Sequence, residues 1–156
     1  MPANVYDFLL HRWEDTFGAN STSIDVFADL IVHYTEDHRV YHRPEHIMDA
    51  LLGVDSAMPY NDPTIRDRDE ELIDAALFFH DAIYTPGASD NELLSAEYAY
   101  KELTRLGLGS GFCGRVGDLI CDTKHHTPAR GDRVSYYVCD ADLDVLSAST
   151  PTYVKY

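Results

Sequence analysis

The sequence contains few cysteines, and their arrangement excludes two classes of small, cross-linked protein. The three cysteines of the 156-residue chain, Cys113, Cys121 and Cys139, are widely spaced and form no CxxC pair. An odd number of cysteines without such a pair predicts neither a disulfide framework nor a zinc ribbon. We therefore expect all three to be small residues of the core.

Basic residues are also scarce. The chain has 12 lysines and arginines against 27 acidic residues, which gives a formal net charge of -15. This balance argues against binding of a nucleic-acid polymer and against docking on an anionic membrane. A small phosphorylated substrate remains compatible with the charge, because a site that holds a metal can be positive inside an acidic protein.

Long hydrophobic runs and a targeting signal are missing as well. No segment approaches the roughly 20 apolar residues that cross a bilayer. The N-terminal stretch MPANVYDFLLHRWEDTF has early acidic residues and no basic region before an apolar core, so it does not resemble a signal peptide. We expect a cytoplasmic protein with one domain over residues 1–156, since 45% of its residues are hydrophobic. Its oligomeric state stays open.

Apolar residues recur along the chain with the period of an α-helix. Residues 3–17 predict a first helix, and the second is expected to turn Ile24, Phe27, Ala28, Ile31 and Tyr34 inward. No segment predicts a strand with confidence. The sequence therefore predicts an all-α bundle of six or seven helices around one core. The later helices are predicted after Pro44, through His80-Asp81 to the break at Pro86-Gly87, from about 89 to 106, over 112–126 and over 135–146.

The stretch LFFHDAIYTPGASDNE, residues 77–92, carries the most informative polar pair. On a helical wheel His80 lies within the apolar stripe formed by Ile73, Leu77 and Tyr84, and Asp81 lies at the edge of that stripe. A histidine and a carboxylate that face a core are costly unless something satisfies them. A divalent metal would do so, and so would a buried His–Asp hydrogen bond. This stretch alone does not choose between them.

Two other segments supply polar residues that could face the same cavity. In RVYHRPEHIMD, residues 39–49, Pro44 favours a first helical turn, which puts His42 in the preceding loop and His46 inside the helix. In the last helix Asp142 shares the apolar face, whereas Asp140 projects from the other side. Asp142 is therefore the favoured buried aspartate, and whether Asp140 takes part stays open.

These polar residues come from separate helices, and bundle interiors build metal sites in that way. His126 joins the group because it continues the apolar stripe of its helix, seven residues after Leu119. Histidines with carboxylates suit Zn, Mn, Fe, Co or Ni better than Ca or Mg. HExxH, Walker A and GxSxG motifs are absent from the sequence. The residues expected to face inward are His42, His46, His80, Asp81, His126 and Asp142.

The order His46, then His80-Asp81, then Asp142 resembles the HD superfamily of metal-dependent phosphohydrolases, whose signature is H…HD…D on an all-α fold. The segments YHRPEHI and FFHDAIYTPGASDNELLSA are similar to a bacterial family of predicted HD-type phosphohydrolases. They also resemble the catalytic domain of cyclic-nucleotide phosphodiesterases. The resemblance covers residues 39 to about 146. Because HD proteins usually continue beyond the last ligand, the resemblance also suggests a truncation at Tyr156, and whether the chain ends there naturally stays open.

The resemblance implies a role for each matched residue. His46, His80, Asp81 and Asp142 would be the metal ligands for one or two ions. Asp81 would also orient the nucleophilic water, and His42 would protonate the leaving group. The implied activity is hydrolysis of a phosphate ester, as a phosphomonoesterase or phosphodiesterase, on a nucleotide or another small phosphorylated metabolite.

Further residues are weaker candidates for contacts with the substrate or a second metal. Thr123 and His126 are similar to the family's Thr-x-x-His element, and the chain lacks the acidic pair after HD that alarmone hydrolases carry. Glu92 could lie near the metal or could only cap a helix. Two other functions stay open, a di-iron oxygenase with the HD fold and a non-catalytic nucleotide-binding sensor. The full set of weaker candidates is Arg39, Glu92, Thr123, Lys124, His125 and His126.

Overall fold

Seven α-helices make up the part of the chain that the computed structural model describes, residues 4–59 and 62–147. The prediction of an all-α bundle with six or seven helices is confirmed. No helix within those ranges is long and apolar enough to cross a bilayer. The predicted truncation at Tyr156 lies outside the described residues. The helices are α1 (Val5–Phe17), α2 (Ser21–Tyr34), α3 (Pro44–Ala57), α4 (Asp67–Phe79), α5 (Asn91–Arg105), α6 (Ser110–Asp122) and α7 (Arg133–Ser147).

Polar side chains define where the first helices begin. The side chain of Asn4 accepts a hydrogen bond from the Asp7 N–H at 2.8 Å, and that of Asn20 accepts one from the Ser23 N–H at 3.0 Å. Each bond satisfies one of the N–H groups that a helix start leaves without a partner. Between the two helices Gly18 adopts a φ of 82°, a left-handed conformation that favours glycine. The turn from α1 to α2 is therefore set by local chemistry.

Helix α4 lies at the centre of the bundle. Its residues from Leu72 to Phe79 are all buried, and it contacts α1, α3, α5, α6 and α7. A helix that is buried on all sides must be surrounded by others. Trp13 of α1 packs against Phe78 and Phe79, with ring centroids 5.1 and 5.9 Å apart. The C-terminal end of α4 therefore lies in the middle of the core.

The buried face of α2 differs from the predicted one. Val26 and Leu30 are buried, as are the expected Phe27 and Tyr34, but Ala28 is exposed. Ser23 explains the shift, because its hydroxyl and carbonyl accept hydrogen bonds from the indole N–H of the buried Trp13. This contact rotates the helix so that its Ser23 side faces the core.

Two helices end earlier than predicted. Helix α4 ends at Phe79, so Tyr84 does not continue its stripe, and α6 ends at Asp122, so His126 lies beyond that helix. At the end of α4 the N–H of Asp81 bonds to the hydroxyl of Tyr34, 3.1 Å away, in place of a helical carbonyl. After α6 the chain turns through His126, whose φ is 49°.

The cysteines are not all in the core. Cys113 and Cys139 are buried, but Cys121 is exposed. The prediction is therefore wrong for Cys121, which follows the buried Leu119 and Ile120 on α6 and turns away from the core. All three thiols are free.

Candidate metal centre

His46 enters the centre from the first turn of α3. Pro44 is the first residue of that helix and Arg43 precedes it in an extended conformation, as the sequence predicts. The imidazole of His46 is almost fully buried. Its Nε2 lies 3.0 Å from Nε2 of His80 and 3.0 Å from Oδ1 of Asp142. Helix α3 therefore presents a nitrogen to the end of α4 and to a side chain of α7.

His80 occupies the position directly after α4 and keeps helical backbone angles there, with φ -57° and ψ -33°. Its Nδ1 lies 2.8 Å from the carbonyl oxygen of Leu77. A carbonyl oxygen only accepts hydrogen bonds, so Nδ1 carries the proton and the neutral ring has its lone pair on Nε2. That lone pair faces the other members of the cluster, which is the arrangement of a metal ligand.

Asp81 follows His80 at the point where the helix stops. Its Oδ2 lies 3.0 Å from Nε2 of His80 and 3.5 Å from Nε2 of His46. The backbone N–H of Asp81 donates to Tyr34, whose own hydroxyl donates to the carbonyl of Phe78 at 2.9 Å. The Tyr34 hydroxyl therefore bridges the backbone of Phe78 and Asp81 and stabilises the turn at the end of α4.

Asp142 comes from α7, and its Oδ1 lies 3.0 Å from His46 and 3.3 Å from His80. Its other oxygen, Oδ2, lies 2.7 Å from Nε2 of His126. Asp140 is exposed, so the helical wheel chose the correct one of the two aspartates. His126 reaches Asp142 from a turn, although the sequence placed it on a helix.

Four side chains thus converge on one point. His46, His80, Asp81 and Asp142 each offer a ligand atom, and these atoms all lie within 4.8 Å of one another. Two imidazoles with two carboxylates form a donor set that suits divalent transition metals. The structure therefore contains a group that could bind a metal, built from the residues that the sequence predicts as ligands.

The charges of the cluster are strongly coupled. Burial alone would raise the pKa of Asp81, but the neighbouring His80 and the hydrogen bond from His42 hold that pKa well below its usual range. The pKa of Asp142 is likewise held low against burial, by His80 and by hydrogen bonds from His126 and His46.

Burial would lower the pKa of the His80 imidazole, but Asp81 and Asp142 raise it well above its ordinary value. The two carboxylates therefore favour a proton on His80 when no cation lies between them. A divalent cation would take the place of that proton, and its charge would match the two ionised carboxylates that face the imidazoles. The donor set and its charge therefore fit a metal ion.

His42 lies beside the centre in the loop before α3. Its Nδ1 is 2.6 Å from Oδ2 of Asp81, and the ring is packed against Tyr84, with centroids 4.2 Å apart. Because the pKa of Asp81 is low, its carboxylate accepts and His42 donates from Nδ1. The second ring nitrogen of His42, on a side chain that is 26% exposed, stays available for proton exchange with a bound molecule.

Arg39 lies within the framework of the site. Its side chain is fully buried and makes four hydrogen bonds, to Glu36 and to the backbone carbonyls of His42, Asp81 and Ala82. Four of the five N–H donors of the guanidinium are thus bonded to the protein. The predicted contact of Arg39 with substrate or a second metal stays a prediction.

The remaining candidates lie outside the ligand group. Thr123 is buried and donates its hydroxyl to the carbonyl of Ile120 at 2.7 Å. The ammonium of Lys124 donates to the Ser89 carbonyl, and His125 is exposed. These placements leave the predicted contacts of the three residues with substrate or a second metal as predictions.

Glu92 lies in the first turn of α5, where the sequence allowed either a capping role or a place near the metal. Asp90 precedes that helix and makes no side-chain capping bond. The side chain of Asn91 instead bonds both the N–H and the carbonyl of Thr85, at 2.9 and 3.0 Å. Asn91 thus ties the segment after Asp81 to α5.

Two tyrosines that frame the centre were not identified as site residues from the sequence. Tyr34 holds the backbone of Asp81, and Tyr84 packs against His42. The sequence predicts both as core residues, because their positions match apolar helical stripes. Their hydroxyl or ring contacts depend on segments far away in the chain, so no local pattern could reveal them.

Comparisons of this chain with models of protein families, with curated protein sequences and with solved structures found no match. The interpretation of the centre therefore depends on its geometry and on the chemistry of its side chains.

Proposed function

We propose that this protein is a metal-dependent hydrolase of phosphate esters, acting on a nucleotide or another small phosphorylated metabolite. One observation carries the proposal. The four converging side chains His46, His80, Asp81 and Asp142 lie directly beside His42, which is hydrogen-bonded to one of them at 2.6 Å. A cluster that only satisfied a polar core would not require a partly exposed histidine on its outer side.

His46, His80, Asp81 and Asp142 would hold a divalent transition metal such as Zn, Mn, Fe, Co or Ni. When bound, such an ion supplies a Lewis acid that polarises a phosphoryl oxygen and lowers the pKa of a bound water to about 7. Asp81 would orient the attacking water, because its carboxylate contacts both His80 and His42. Whether one ion or two bind is part of the proposal to be measured.

His42 would act as the general acid. Asp81 accepts a hydrogen bond from its Nδ1–H, so the proton that moves is the one on Nε2. Attack of water on phosphorus breaks the bond between phosphorus and the ester oxygen, and that oxygen takes the proton from His42. The attacking water releases one proton to solvent, and the ring of His42 regains one from solvent. The products are the phosphate and an alcohol.

The test is turnover of aryl phosphates and a panel of nucleotides by purified protein loaded with each of the five metals. We expect activity in the wild type and complete loss in His80→Ala. In His42→Ala we expect a loss of at least about 100-fold on nucleotides whose leaving oxygen needs a proton. His11→Ala is the matched control, because His11 is an exposed histidine on α1. Absence of turnover with every metal, or unchanged turnover in His80→Ala, would sink the proposal.

A further inference from the structure

The guanidinium of Arg39 joins two parts of the centre that are distant in sequence. Its Nη1 donates to the carbonyl of His42 at 3.1 Å and to the carbonyl of Asp81 at 2.7 Å. Its Nη2 donates to the carbonyl of Ala82 at 2.8 Å. One planar group thus binds the backbone of the residue that would donate the proton and the backbone of a metal ligand.

The surroundings of Arg39 keep the charged group in place although it is buried. Nε donates to Glu36 at 3.0 Å, and the rings of Tyr34 and Tyr84 lie 5.0 and 5.5 Å from the guanidinium carbon. A buried charge is costly unless it is paired and hydrogen-bonded, and aromatic faces add a favourable contact. The guanidinium of Arg39 is therefore held in place between the two parts of the centre, and we call it the anchor. Arg39 is not one of the four candidate metal ligands.

The loop that carries His42 reaches the turn at Asp81 through side chains, whereas its backbone bonds are local, from Arg39 to Glu36 and from Arg43 to Tyr41. Besides Arg39, the ring of His42 bonds Asp81 and packs against Tyr84, and His38 reaches the carbonyl of Tyr84. Arg39 holds the backbone of His42, whereas the bond from the ring of His42 to Asp81 must also adjust during proton transfer.

We propose that Arg39 is a positioning residue, which fixes the proton donor His42 relative to the ligand Asp81 by binding the backbone carbonyls of both. The inference rests on the proposed function, because it takes His42 as the proton donor. Arg39 touches neither substrate nor metal. It acts through His42, so its removal should impair the step that needs a proton and spare a step that does not.

The first experiment compares Arg39→Lys with wild type on two esters. Lysine keeps the charge but has no planar fork that can bind several carbonyls at once. On an alkyl phosphate, whose leaving oxygen needs a proton, we expect kcat to fall about 100-fold, as for a misplaced catalytic group. On a nitrophenyl phosphate, whose leaving group departs without a proton, we expect a fall of less than about threefold.

A double-variant comparison separates positioning from general damage. If Arg39 acts through His42, adding Arg39→Lys to His42→Ala should cause no further loss on the alkyl ester. Arg105→Lys is the control, because Arg105 is an exposed arginine that bonds Glu102 and Asp29 on the surface. Equal losses on the two esters, or additive losses in the double variant, would overturn the proposal.

A readout without turnover keeps this inference distinct from the proposed function. Amide hydrogen exchange should rise at least about tenfold in residues 40–43 and 80–83 of Arg39→Lys, and should stay unchanged in α5 and α6. Unchanged exchange in both segments would overturn the anchor even if the enzyme is active. If the wild type hydrolyses no ester, the proposed function fails, and raised exchange in the two segments would still support the anchor.

A variant that does not fold would leave no enzyme to compare, so Glu36→Gln provides a milder change. It removes the charge that pairs with Nε of Arg39 but leaves the bonds to the carbonyls. We expect the same selectivity between the two esters at a smaller size, about threefold on the alkyl ester. Equal rates for wild type and Glu36→Gln on both esters, together with unchanged exchange, would count against the anchor.

Discussion

His126 and Asp142 are joined by a 2.7 Å hydrogen bond that occupies one carboxylate oxygen and leaves the other facing His46 and His80. The backbone of His126 has a φ of 49°, a left-handed conformation that costs free energy for residues other than glycine. Local strain of this kind persists only where the surrounding contacts maintain it. The bond to Asp142 is such a contact, and it assigns the two carboxylate oxygens to different partners.

His126→Ala should therefore weaken metal binding without removing it. A group that orients a ligand typically contributes about 10- to 100-fold to metal affinity. We expect a rise of that size in the Kd, measured by competition with a chromophoric chelator. His11→Ala is the control, since His11 is an exposed histidine on α1. An equal Kd for wild type and His126→Ala would show that Asp142 needs no such support.

His80→Ala should abolish stoichiometric metal binding. Its Nε2 lies 3.0 Å from Asp81 and 3.3 Å from Asp142, and its loss leaves His46 as the single imidazole of the group beside the two carboxylates. Elemental analysis of the purified protein should find metal in the wild type and in His11→Ala, and none in His80→Ala. Equal metal content in all three proteins would mean that the ion binds elsewhere.

Stability should depend on pH through Asp132, which precedes α7. Its Oδ1 accepts the Ser135 N–H at 3.1 Å, and Arg115 lies 2.6 Å from its other oxygen. Burial opposes ionisation, but the bond from Ser135 and the contact with Arg115 lower the pKa of Asp132 overall. A carboxyl with a lowered folded pKa stabilises the protein above its unfolded pKa, about 3.9, and loses that contribution as pH falls through the folded value.

Asp132→Ala should therefore reduce the free energy of unfolding by about 1 kcal/mol at pH 7, as for a lost helix cap. The difference from wild type should shrink below about pH 4, where the wild-type carboxyl becomes protonated. Urea unfolding at several pH values measures both effects. Asp140→Ala, which changes an exposed aspartate of the same helix, should show neither. A pH-independent difference would contradict the assigned role of the charge.

Arg12 should be important for stability rather than for chemistry. It binds the buried carboxylate of Asp74 with bonds of 2.7 and 2.9 Å, and it also bonds Asp55, so it ties α1 to α4 and α3. Replacing it with methionine leaves Asp74 buried with only the hydroxyl of Thr16 as a donor. We expect a loss of about 3 kcal/mol in the free energy of unfolding, measured in urea.

The matched control for that prediction is Arg66→Ala. Arg66 also pairs with an aspartate, Asp69, but its side chain is 85% exposed. Exposed pairs contribute about 0 to 1 kcal/mol, so the control should stay close to wild type. Similar losses in the two variants would show that burial of Asp74 is not what makes Arg12 important.

Much of the candidate site could be predicted because its residues sit at helix positions with a readable period. Pro44 predicts that His42 precedes a helix and that His46 lies within it. The helical wheel of the last helix predicts that Asp142 faces inward and Asp140 outward. These inferences needed only local geometry, which the sequence records directly.

The rest depends on contacts between distant segments. Arg39 has the same sequence signature as a surface arginine, and only the carbonyls of Asp81 and Ala82, more than 40 residues later, show that it is buried. The rotation of α2 likewise follows from the bond between Trp13 and Ser23. Tertiary hydrogen bonds of this kind have no period, so no local pattern predicts them.

The ligands of the centre are far apart along the chain. His46 and His80 are separated by 34 positions, and His46 and Asp142 by 96. An unfolded chain must close large loops to bring them together, and loop closure costs entropy before any contact forms. The complete ligand set should therefore exist only after α3, α4 and α7 have docked. Capture of an added metal ion during refolding would then report the last stage of assembly, later than the appearance of helical structure.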